Sequence, residues 1–100
     1  MWEPASTASI EALIAEQLTE CSPQQRELFA RLRVPLRAVP IDRNGHVESV
    51  FVVAQSGHCV MYYEDVEEGF SLSSLSPSGS IASPGFEQWR LSHALANFAP

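Results

Sequence analysis

Four carboxylates fall within five positions of this chain, Glu64, Asp65, Glu67 and Glu68, and Gly69 closes the run. Carboxylates at that density can ligate a cation, share a proton as an acid–base pair, or meet arginine and lysine on another protein. The first use fails on spacing, because an EF-hand loop places its ligands at alternate positions over about twelve residues. The second lacks a recognisable second group nearby. Two readings are left. The run is a solvated turn whose charges guard the edges of neighbouring strands. Or it is a docking surface, where clustered carboxylates speed encounter with a basic partner and hold it by charge-assisted hydrogen bonds. Tyr62 and Tyr63 precede the run and Phe70 follows it. Alternation along a strand sends the two tyrosines to opposite faces, which predicts one in the core and the other exposed as an interface anchor.

Other chemistries find less to work with. The histidines, His46, His58 and His93, fall in a turn, at a strand start and on a helix, with no CxxC, HxxxH or HExxH spacing. His58 and Cys59 are adjacent on a strand and point to opposite faces, so they cannot share an ion. Cys59 lies beside Val60 and Met61, the setting of an inert core thiol. With only Cys21 as its companion there is no disulfide framework, and two buried free thiols are expected. No GxSxG elbow occurs, and the seven serines between Ser71 and Ser83 read as strand-and-turn filler. Five scattered glycines make no phosphate cradle. The expectation is a chain without catalytic residues, cofactor or metal.

The elements that would position these residues follow from periodicity. Ile10, Leu13, Ile14, Leu18 and Cys21 recur at helical spacing, with Ser6 or Thr7 as the cap. Ser22-Pro23-Gln24-Gln25 opens a second helix with a cap serine, a proline in the first turn and a capping-box glutamine. That helix ends before Pro35. From Val34 the period becomes two. Pro35 and Pro40 mark an edge strand, and Asp42-Arg43-Asn44-Gly45 is a turn. Val47 to Ala54 reads as a central strand covered on both faces, and Ser56-Gly57 joins it to a return strand from His58 to Tyr63. A fourth strand spans Phe70 to Leu75, Ser80-Ile81-Ala82 is a short fifth, and a last helix runs from Phe86 to Asn97. Trp2 and Trp89 are assigned to core or terminus packing. The sum is one domain over residues 1–100, an α+β two-layer sandwich. Two N-terminal helices and one C-terminal helix cover an antiparallel meander of four to five strands.

Composition bounds the partners. The net charge is −6, and all six basic residues are arginine. An acidic surface is repelled by phosphate backbones, which argues against nucleic acid. The charge is uneven: Arg26, Arg31, Arg33, Arg37 and Arg43 cluster in the middle, and the flanks carry only acids apart from Arg90. No apolar run reaches the roughly 18–20 residues that span a membrane. The Met-Trp-Glu-Pro-Ala start lacks the basic-then-apolar pattern of a secretory signal, so the expected compartment is the cytoplasm.

The segment Tyr62-Tyr63-Glu64-Asp65-Val66-Glu67-Glu68-Gly69-Phe70, with Gly79-Ser80-Ile81 and Gln88-Trp89, resembles a pattern in small uncharacterised bacterial proteins, some of them similar to toxin-immunity proteins. The resemblance covers about the last half of the chain and implies no catalytic residue. The leading expectation is a small cytoplasmic, immunity-like protein-binding module whose partner is a protein such as a basic toxin domain. The charge run itself points to Glu64, Asp65, Glu67 and Glu68 as the residues that meet it, with Tyr62 or Tyr63 as anchor. The alternative is a homo-oligomeric structural or accessory domain, self-associating through a sheet edge or helix face.

Overall fold

The computed structural model describes residues 6–43, 45–64, 69–82 and 88–98, with the Arg43 side chain left out. Two capped helices open the chain. In α1 (Thr7–Leu18) the Ser6 hydroxyl accepts from the Ser9 amide at 3.1 Å, and the Ser9 hydroxyl accepts from the Ser6 amide at 2.9 Å. In α2 (Pro23–Leu32) Ser22 and Gln25 make the same exchange, with Pro23 in the first turn as its fixed φ favours. Between the helices Arg26 Nη1 donates to the carbonyl of Cys21 at 2.6 Å, so a side chain of α2 satisfies an acceptor just past α1.

The sheet follows without a loop. Its strands are β1 (Arg33–Arg43), β2 (His46–Ser56), β3 (Cys59–Glu64) and β4 (Gly69–Ser74), ordered β1-β2-β3-β4 and antiparallel throughout. Pro35 sits where Val34, Pro35 and Leu36 oppose only Val53 of β2, and a bulge is where a missing N–H costs least. The β2–β3 hairpin turns at Gly57-His58, one residue later than the spacing predicts. Ser56 pairs with Cys59, and Gly57 takes the positive φ of 60° that the first loop position requires.

Two expectations fail at the C-terminal side. Residues 80–82 do not form a fifth strand; only Ile81 pairs, and it pairs twice. It bridges Ile41 in β1 in parallel and Leu75, just past β4, in antiparallel. Ile81 N donates to the Pro40 carbonyl at 3.0 Å, and Ala82 N to the Ser74 carbonyl at 2.8 Å. A flat sheet would hold β1 and β4 roughly 14 Å apart, three strand spacings. One residue can touch both only because the sheet curls toward a partly closed barrel. The last helix is also shorter than predicted. α3 spans Leu91–Asn97, because Trp89 exchanges both backbone hydrogen bonds with Phe70 of β4 (2.9 and 3.3 Å) and is extended. The predicted helix start at Phe86 lies outside the described residues, as do Trp2 and Asn44 of the predicted β1–β2 turn.

Curling gives the sheet two buried faces. On the convex side Val53, Met61, Tyr63 and Phe70 meet Ile10, Ile14, Phe29, Leu91 and Leu95 from the three helices. On the concave side Val39, Ile41, Val50, Val52, Val60 and Tyr62 close around Ile81. Each such aliphatic side chain taken from water contributes about 1.5–3 kcal/mol. The helices are joined to one another by polar contacts as well. The Leu91 amide, first in α3, donates to the Oε1 of the buried Gln17 at 2.7 Å, and Gln25 donates to the Ser92 carbonyl at 3.1 Å. No helix among the described residues is long and apolar enough to cross a membrane.

Gly69 makes the closest backbone approach. A Cβ there would lie 2.5 Å from Gln88 Cα and 2.7 Å from Gln88 C, atoms of a backbone held by the Phe70–Trp89 bridge. Gly69→Ala is expected to lower stability by roughly 1–3 kcal/mol, read as an earlier urea midpoint at unchanged slope. An unchanged midpoint would mean that this crossing yields freely.

Candidate functional site

The carboxylate run connects β3 to β4, whose last pair is Glu64 opposite Gly69. Asp65, Glu67 and Glu68 lie outside the described residues. Glu64 does not stand on the surface: it is 1% exposed, with the same strand parity as Tyr62. The two tyrosines do point to opposite faces, as alternation requires. Neither is exposed, however, with Tyr62 at 0% and Tyr63 at 8%. Tyr62 fills the concave core, while Tyr63 packs edge-on to Phe70 in the convex one, ring centroids 5.2 Å apart at 64°. The expected exposed tyrosine is therefore corrected. Alternation assigns a face, but it cannot say that both faces are covered.

The aromatic group that does reach the surface on this side is another. Trp89, half-buried, stacks on the exposed ring of His93 one helical turn later, centroids 4.6 Å apart and 19° from parallel. Trp89 is tied to Phe70 by its bridge, and Gly69 touches the Gln88 backbone. The stacked pair thus stands beside the strand into which the acidic run leads. Its i, i+4 spacing is legible in the sequence, although Trp89 itself is not helical.

The arginines are largely engaged within the chain. Arg33 pairs with Glu11 at 3.1 Å and lies over the Phe29 ring, 5.1 Å from its centroid. Arg37 donates to Gln55 at 2.9 Å. Arg90 grips both oxygens of Glu20, with Nε to Oε1 at 2.7 Å. The hydrogen bonds from Arg90 hold the Glu20 carboxyl below its ordinary range, opposed by desolvation and helped by the guanidinium charge, and they raise the Arg90 guanidinium in return. The sequence blocks of acid and base thus meet in space, Glu11 of α1 with Arg33 of β1, and Glu20 just past α1 with Arg90 just before α3.

The two thiols divide. Cys21 is buried, donates weakly to the Gln17 carbonyl at 3.5 Å, and is pushed up by burial and by Glu20, with Arg26 opposing. Cys59 is exposed, which corrects the expectation of two buried thiols. It is the first residue of β3, and the helix layer stops short of it. There the end of the hairpin and the end of α3 flank an open cavity of about 360 Å³, whose lining is Cys59, Val60, Leu72, Ser73, Ser74, Asn97 and Phe98. No sequence signal marks this cavity, because its walls meet only through tertiary packing. Among the described residues no three His, Cys, Asp or Glu side chains converge as metal ligands would.

The Glu20–Arg90 pair predicts a pH signature. A carboxylate with a depressed folded-state pKa contributes stability that is full above its unfolded value, roughly 4.3, and that fades as pH falls through the lower folded value. Thermal melts of wild type and Glu20→Gln should therefore differ at neutral pH and converge at the acid end. A difference constant across that range would contradict the assignment.

Comparison with protein-family models, with curated proteins and with solved structures finds no match to this chain.

Proposed function

We propose that this chain is a small acidic protein-binding module that docks a cationic surface of another protein, in the manner of an immunity protein neutralising a basic toxin domain. The observation that carries the reading is where the arginines go. Arg33 is paired with Glu11 on α1 and Arg90 with Glu20 just past it, and Arg26 and Arg37 bond to Cys21 and Gln55. Four of the six bases in a chain of net charge −6 thus have partners elsewhere than the β3–β4 connection. In this reading Asp65, Glu67 and Glu68 steer the partner and accept from its arginines or lysines. Trp89 and His93 take the anchor role first given to Tyr62 or Tyr63, since interface anchors are large side chains that a partner can cover. Glu64, Tyr62 and Tyr63 hold the hairpin end in place from the two cores.

A hexa-arginine peptide serves as the probe. Titration at low salt should perturb the amides of Gly69, Phe70, Trp89 and His93 above all others, and raising the salt should weaken binding. The triple variant Asp65→Asn, Glu67→Gln, Glu68→Gln should lose about tenfold or more in affinity, on the order of 1.4 kcal/mol. Unchanged affinity in that variant, or perturbations spread evenly over the acidic surface, would overturn the reading.

A further inference from the structure

We propose that the cavity at the open end of the β3–β4 hairpin is a binding site for a small, uncharged, largely apolar molecule bearing a hydroxyl group. Its origin is a mismatch of lengths. The six-residue strands of the hairpin run about 20 Å at 3.3 Å per residue, whereas the seven residues of α3 cover about 10 Å at 1.5 Å per residue. Where α3 ends at Asn97, a cavity of about 360 Å³ opens among the hairpin end, Asn97 and Phe98. That volume falls at the lower end of small-molecule sites, roughly 300–1,000 Å³.

The lining selects the ligand. Among the described residues none of its lining side chains carries a formal charge, in a chain of net charge −6. A charged guest would give up water without finding a counter-ion, which is costly. Leu72 and Phe98 offer apolar walls. The polar side chains of the lining are Ser73, Ser74 and Asn97. Asn97 donates its side-chain amide to the His93 carbonyl at 2.9 Å, which leaves its side-chain oxygen to accept, and the exposed Ser74 hydroxyl can donate. A guest hydroxyl answers both, giving its proton to Asn97 and accepting from Ser74. A simple alkylphenol has this shape and polarity.

The site is separate from the docking surface. Cys59–Ser74 and Glu64–Gly69 are opposite ends of one hairpin, about 17 Å apart by strand rise. Either proposal can therefore fail without the other.

Cys59 provides the readout. It is the exposed thiol at the rim, while the buried Cys21 reports on folding. Alkylation of Cys59 by N-ethylmaleimide should slow at least threefold in the presence of 4-propylphenol, and much less with 4-propylbenzoate at the same concentration. Ser74→Trp, a change at an exposed position that fills the cavity, should abolish the protection while Cys21 stays unreactive. Absence of protection by the phenol, equal protection by the carboxylate, or protection that survives in Ser74→Trp would each overturn the proposal. Should Cys21 become reactive in that variant, Asn97→Leu in its place must weaken protection by the phenol for the proposal to stand.

Discussion

The double pairing of Ile81 is the constraint on which the rest of the molecule depends. By reaching β1 through Pro40 and Ile41 and the end of β4 through Ser74 and Leu75, one short segment sets the curl of the whole sheet. That curl creates the concave core around Val52, Val60 and Tyr62. A sheet with helices on one side only would leave these side chains in water, and the described residues supply no second helical layer to cover them. The turn before Ile81 is fixed by local chemistry, since the hydroxyls of Ser76, Ser78 and Ser80 bond one another at 2.8 to 3.3 Å. The same arrangement covers exposed edges. The free side of β4 meets Trp89 at one end and Ala82 at the other, which blunts an otherwise adhesive strand.

The convex core is assembled differently. Apolar side chains from all three helices fill it, but polar contacts set the position of α3. Gln17 accepts from the first amide of α3, Gln25 reaches Ser92, and Glu20 holds Arg90. Arg90 itself makes no side-chain cap for the helix. A short helix with a poor start of its own is thus fixed by residues some seventy positions earlier. The other end of α3, Asn97, lines the cavity together with Cys59.

The β3–β4 hairpin consequently carries two unlike ends. At Glu64–Gly69 the chain is rich in carboxylate and stands beside a stacked Trp89–His93 pair. At Cys59–Ser74 it is uncharged and concave. The docking proposed at the first end would rely on electrostatic attraction over about a Debye length, near 8 Å at physiological salt. The binding proposed at the second would rely on desolvation and shape, over contact distance. One rigid element can present both because its interior residues, Met61, Tyr62 and Tyr63, are locked into the two cores.

Local rules by themselves determined a good deal. Ser22-Pro23 with Gln25 specified how α2 begins, and the continuous apolar stretch Val50–Ala54 specified a strand covered on both sides. The alternation of Tyr62 and Tyr63 specified opposite faces, and the order of elements specified an antiparallel meander with helices before and after it. Each of these rests on residues a few positions apart, where backbone geometry relates sequence spacing directly to direction in space. Tertiary structure alone decided that both tyrosines and Glu64 are covered, that Trp89 is extended, that Ile81 joins two edges, and that Cys59 opens on a cavity. Burial depends on what arrives from elsewhere in the chain. Spacing tells a side chain which way to point, whereas the elements that later fold against it determine what it meets.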